Sequence, residues 1–175
     1  MRNRIALRLV WASAVLLGIE AGGGLFEHLV LDRAWPSNLA LIQPNLGGVN
    51  RGTFWIAVHT SLTVILLGAL WATWPQRPLR IRVAWALGIH VALRVWSFAY
   101  FIPAAIRFEA AQAVVDADVR AWVIQSPLRT LVTLIAWVIL FRPRDIGSSL
   151  PGSSPDLSSE RRPGQPGLPR TTFTG

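Results

Sequence analysis

No cysteine occurs among the 175 residues, so disulfides, thiolate zinc sites and cysteine-ligated iron–sulfur clusters are excluded. Lysine is missing as well, and every one of the 17 basic residues is an arginine. Tyrosine occurs once, against nine tryptophans. Acidic residues number only 9, which leaves a formal net charge of +8. Such a basic chain invites a nucleic-acid reading. The arginines, however, stand in small groups at the ends of apolar runs rather than in one stripe interleaved with aromatics, so no nucleic-acid partner is expected.

What the chain has in quantity is apolar surface. It is 52% hydrophobic, with a mean hydropathy of +0.42, which is one domain's length of chain and too apolar for an ordinary soluble domain. Four runs stand out, over about residues 5–31, 54–74, 83–102 and 126–142. A helix crossing the hydrocarbon core needs roughly 20 apolar residues, about 17 at the least. The fourth run is short. Ser126 before Pro127 reads as a helix start, with the serine as cap and the proline in the first turn. Alternatively the helix begins near Asp118 and bends at the proline. The fold expected is all-α: a polytopic four-helix membrane bundle over residues 1–142.

Arginine placement gives an orientation. Arg2, Arg4 and Arg8 precede the first run, Arg77, Arg80 and Arg82 separate the second from the third, and Arg142 and Arg144 follow the fourth. The other two connections are mixed in sign. By the positive-inside rule both termini are expected in the cytoplasm, with the protein multi-pass in the cell membrane and the lipid bilayer its surroundings. A basic start, an apolar stretch and the small residues of Ala21 to Gly24 also resemble a secretory signal. The stretch outruns a normal signal, contains Glu20 and precedes three more spans, so it reads as retained. Residues 143–175 are rich in Pro, Gly and Ser and are expected to form a disordered cytoplasmic tail. Residues 104–125 read as a further helix on the outer side.

Charges inside spans are costly and normally face a bundle interior where they find partners. Depth follows from about 1.5 Å of rise per residue. Glu20 and His90 fall roughly 18–20 Å below the outer surface and Arg94 about 14 Å below it. Glu27, His28 and His59 fall within about 6–9 Å, with Tyr100 close in depth. The expectation is therefore a structural polar core of Glu20, His90 and Arg94 beneath an outward-opening catalytic layer of Glu27, His28, His59 and Tyr100. Facing supports it: Glu20 and Glu27 are seven apart with Gly23 and Gly24 between them, and His90, Arg94, Ser97 and Phe101 recur at steps of four, three and four. Small residues let a neighbouring helix approach closely. Each group also has a plain structural reading, Glu20 with Arg94 as an ion pair and His90 as a packing residue. Three imidazoles and a carboxylate on three helices could bind a metal or haem. No helix carries a local pair of histidines, so neither a metal nor a cofactor is read from the spacing.

The order "FEHLVLDRAW", "RGTFWIAVH", "LRVWSFAYFIP" and "WVIQSPLRTL" resembles a family of small four-helix bacterial membrane proteins, a domain of unknown function related to the anthrone-oxygenase-like membrane proteins. The resemblance covers roughly residues 18–141. The positions that match are Glu27, His28, Trp35, Arg51, Trp55, His59, Tyr100, Pro103, Trp122 and Arg129. It implies a cofactor-poor oxidation of an activated aromatic carbon by dioxygen, with a base such as His59 or Glu27 in a dry pocket. The expected ligand is a small apolar or aromatic molecule. The competing expectation is a non-enzymatic transporter or complex subunit whose polar residues only fix helix register. Oligomeric state is not legible in the sequence.

Overall fold

Long runs of Leu, Ala, Val and Ile with charge only at their ends leave the helix as the conformation that satisfies the backbone internally. The computed structural model describes residues 2–113 and 116–141, and among these all regular structure is helical. Helix α1 is Arg2–Phe26, followed by a π turn at Glu27–Leu31 and a last α turn at Asp32–Ala34. Three short 3-10 turns then lead to α2, Arg51–Ala72. Helix α3 is Arg77–Trp96, which runs through a second π turn, Ser97–Phe101, into α4, Ile102–Ala110. Helix α5 is Asp116–Leu140. The expected tail, with Arg142 and Arg144, lies outside the described residues.

Four stretches are long and apolar enough to cross a membrane: Asn3–Ser37, Arg51–Ala72, Arg77–Ala110 and Ala117–Leu140. The shortest has 22 residues, which at 1.5 Å each gives about 33 Å, enough for a hydrocarbon core of about 30 Å. The fourth helix starts not at Ser126 but at Asp116, close to the alternative start near Asp118. It runs unbroken through Pro127, whose ring lies on an exposed face, while Ser126 is fully buried. Nor do residues 104–125 form one outer helix, because α4 ends at Ala110 and α5 begins at Asp116. The second run also starts earlier than its apolar part, at Arg51, since the Asn50 side chain accepts from the Thr53 N–H at 3.3 Å and caps the helix.

The helices pack as a closed square in which α1 meets α2 and α5, and α3 meets the same two. Two apolar clusters form inside. The first joins Val10, Ala14 and Leu17 to Leu62, Leu66, Val83, Ala86, Ala136 and Leu140. The second is a largely aromatic cap of Trp35, Ile42, Phe101, Phe108 and Trp122 with Leu31 and Ala104. Gln43 ties the connection between α1 and α2 to this end, its Nε2 donating to the Ala111 carbonyl at 2.7 Å. Along the helices, Glu20, Glu27, His59, His90, Arg94 and Arg129 fall between the residues of the two clusters. The outward helix faces are apolar, and Ile56, Trp71 and Ile124 are each at least 70% exposed. That distribution, with polar groups inside and hydrocarbon outside, suits four membrane-spanning helices.

Candidate functional site

Two devices in α1 build the site. The first is small residues. A Cβ on Gly23 would lie 2.6 Å from Phe54 of α2, and one on Gly24 would collide with Thr130 of α5. Glycine there lets α1 sit close to both neighbours. The second is the π turn: Asp32 N–H bonds back to the Glu27 carbonyl, which admits one extra residue and turns both Glu27 and Asp32 inward. The matching turn in the third stretch bonds Ile102 N–H to the Ser97 carbonyl, one residue ahead of Pro103. Proline cannot continue the regular ladder, and a π turn absorbs that mismatch.

Deepest lies Glu20, 4% exposed. Its Oε1 accepts from Arg94 Nη2 at 3.3 Å and lies 3.6 Å from His59 Nδ1, while Oε2 lies 3.6 Å from His90 Nδ1. His90 donates through Nε2 to Thr63 Oγ1 at 3.0 Å, and Thr63 donates to the His59 carbonyl at 2.7 Å. His59 stacks on Trp55, with centroids 5.1 Å apart and planes 15° apart. Trp55 in turn donates its indole N–H to Glu27 Oε1 at 2.8 Å. His59 therefore joins Glu20 and His90, and only Trp55 connects it to Glu27. Counting from the apolar run at Phe54 made it shallow. The helix starts at Arg51, which sets His59 more than two turns inside it, beside Glu20 and His90.

A second network lies nearer the cap. Asp32, 6% exposed, accepts from Trp35 Nε1 at 3.0 Å and Trp122 Nε1 at 3.2 Å, and its other oxygen bonds His28 Nδ1 at 3.0 Å. His28 Nε2 meets Thr130 Oγ1 at 2.9 Å. Both ring nitrogens of His28 and both oxygens of Asp32 are engaged, so this network holds α1 to α5. Tyr100 packs edge-on against Phe101 in the cap, at 4.9 Å, and does not line the cavity described next.

A cavity of about 500 Å³ extends over this floor. Glu20, Glu27, His59, Arg94 and Arg129 line it, with Trp55, Phe101 and Trp122 as aromatic wall. Arg129 lies over the Phe101 ring at 3.7 Å and donates to Ser126 Oγ at 3.3 Å. Arg51 lies over Trp122 at 5.4 Å and 3.6 Å from Glu109. Three acids and three arginines border the space, so its formal charge balances if His59 is neutral. The cavity reaches the capped end of the bundle at Asn50 and Gly52. It also reaches the flank of the bundle, where the exposed side chains Ile56 and Thr60 of α2 border it together with Phe98 of the second π turn and Ile102 and Ile106 of α4. A mouth at the side of the bundle, not expected from the sequence, thus accompanies the one at its end.

Glu20, His59 and His90 are brought together, and Glu27 adjoins them through Trp55. His28 and Tyr100 belong to the cap. Asp32 is not among the residues the sequence singles out, although His28 four residues before and Trp35 three after are a local signal. Thr130 left no such signal. No family model matches the chain, and neither a curated protein nor a solved structure matches it.

Proposed function

We propose that the chain is a multi-pass membrane protein, both termini cytoplasmic, whose cavity binds a small apolar or aromatic molecule and performs acid–base chemistry on it. The observation that carries the reading is the cavity itself. An aromatic and aliphatic wall stands over buried Glu20, Glu27, His59 and Arg94, and the space reaches the apolar flank at Ile56 and Phe98. A lipophilic molecule entering there would leave hydrocarbon for an aromatic wall and bring one polar edge to the floor. The proton of an activated C–H would pass to Glu27, and the negative charge left behind would face Arg94 and Arg129. Oxidation of such a carbon by dioxygen is what the anthrone-oxygenase-like resemblance adds.

The experiment is mass spectrometry of small molecules that copurify with the full chain in mild detergent, comparing wild type with Ile56→Trp, which narrows the side mouth. The expected result is a lipophilic molecule near one per chain in the wild type and depleted in the variant. Equal, background-level content in both refutes the reading.

A second reading, a non-enzymatic transporter or complex subunit with structural polar residues, is favoured by the saturated His28–Asp32–Thr130 network. His59→Ala separates the two. Loss of the copurifying molecule at unchanged melting temperature supports a site. A lowered melting temperature with the molecule retained supports structure alone.

A further inference from the structure

Three buried ligand-type atoms at and behind the cavity floor lie together without a hydrogen bond: Glu20 Oε2, His59 Nδ1 and His90 Nδ1. The side chains of Glu20 and His90 are 5% and 0% exposed, and that of His59 is 16% exposed. Leaving buried polar atoms unpaired is costly, and each such atom calls for a partner.

The hydrogen bonds around them determine which atoms are free. Thr63 has one hydroxyl proton, and at 2.7 Å it goes to the His59 carbonyl. Thr63 must then accept from His90, so Nε2 carries the proton. Neutral His90 consequently presents a bare Nδ1 lone pair to a carboxylate oxygen 3.6 Å away. Two lone pairs facing each other repel unless a cation stands between them. A shared proton would draw the atoms to roughly 2.7–2.9 Å. A metal ion holds them wider, because bonds of about 2.0–2.2 Å to nitrogen and oxygen set donors about 3–3.5 Å apart. The donors offered by Glu20, His59 and His90 all lie within 4.8 Å of one another.

We propose that Glu20, His59 and His90 bind one divalent first-row transition-metal ion, with its remaining coordination positions turned toward the cavity. Two imidazoles and one carboxylate, with no thiolate, are the donor set that suits non-haem iron(II) and its neighbours. Arg94 holds Glu20 Oε1 at 3.3 Å and draws off part of its charge, which disfavours the hard all-oxygen cations magnesium and calcium. The supporting shell is in place. Thr63 fixes the His90 tautomer, Arg94 orients the carboxylate, and Trp55 holds the plane of His59. Glu20 and His59 line the cavity whereas His90 lies behind them, so the open side of the ion faces the bound molecule. This site goes beyond the ligand-binding reading and does not depend on it.

The test is a titration of the full-length, tag-free protein in mild detergent with cobalt(II) alone, followed by zinc(II). The expected result is one cobalt(II) per chain, with a saturating visible absorption that zinc(II) abolishes. Thr63→Val keeps the side-chain shape and removes the acceptor for His90, and should weaken cobalt(II) binding about 10–100-fold. His59→Ala should remove it. Helical circular dichroism confirms folding of each variant, and if His59→Ala does not fold, the wild-type and Thr63→Val titrations still decide. Folded wild type that takes up neither ion overturns the proposal, as does cobalt(II) binding that Thr63→Val leaves unchanged. Cobalt absorption and copurifying organic molecules are separate readouts, so failure of one leaves the other standing.

Discussion

Replacing Asp32 with alanine takes away an acceptor shared by three donors. Trp35 and Trp122 each give an indole N–H to Oδ1, at 3.0 and 3.2 Å, and His28 meets Oδ2 at 3.0 Å. Both indoles are at most 3% exposed, so water cannot take over as acceptor. A buried donor left unpaired costs about 1–3 kcal/mol. Two of them, with partial relaxation and the gap left by the carboxylate, put the expected loss at about 3–5 kcal/mol, in line with breaking a buried pair. Asp32→Asn is the informative companion. Its Oδ1 still accepts from both indoles, and its amide can donate to His28 Nδ1 once the imidazole moves its proton to Nε2 and donates to Thr130. The expected loss falls to about 1–2 kcal/mol. The assay is reversible unfolding in mild detergent followed by tryptophan fluorescence, with Asp118→Ala, an exposed site, as reference. An Asp32→Ala protein no less stable than Asp32→Asn would refute the reasoning, because the three donors would then not depend on that carboxylate.

Reporter fusions active only outside the cell should work after Asp116 and be silent after Arg144, since arginines flank the alternate connections; the reverse pattern overturns the orientation. Glu20→Gln and Arg94→Gln should each lower stability in detergent, and the double variant should recover about 0.5–3 kcal/mol of the summed loss; strict additivity would deny their contact. Gly24→Ala should cost about 1–3 kcal/mol because its methyl meets Thr130. Gly22→Ala, with nothing within 4 Å of the new methyl, should stabilise by up to about 1 kcal/mol. Equal melting temperatures for the two glycine variants would contradict the packing of α1 on α5.

Much of this arrangement was legible where one residue type keeps one meaning. Charges set at helical spacing in apolar runs located Glu20, His90 and Arg94 at matching depths, and the structure has Glu20 3.3 Å from Arg94. In the stripe of His90, Arg94, Ser97 and Phe101, all but the half-buried Arg94 are buried. His59 was misplaced because hydropathy measures where apolar residues begin, whereas depth depends on what the connections fold over. A cap at Asn50 and a loop pinned by Gln43 carry no hydropathy signal of that kind. Pro127 suggested a start or a bend because proline usually breaks a helix. Inside an apolar bundle its ring can point outward while neighbouring residues compensate. Two of the three partners of Asp32 are local, His28 and Trp35, whereas Trp122 comes from 90 positions away in the chain.

The two π turns place one surplus residue in α1 and one in the α3–α4 rod, at Glu27–Leu31 and Ser97–Phe101, where the polar belt gives way to the aromatic cap. Each residue of helix advances the winding by about 100°. Deleting one residue from either turn would restore a regular helix and swing everything beyond it by that angle. Trp35 would rotate away from Phe108, whose ring it now meets at 5.1 Å, or Phe101 away from Trp122, at 5.2 Å. The cap is therefore indexed to the bundle like two notched dials set by one click each. A bulge that migrates a single turn along either rod would re-aim the cap over the cavity without breaking the helices beneath it.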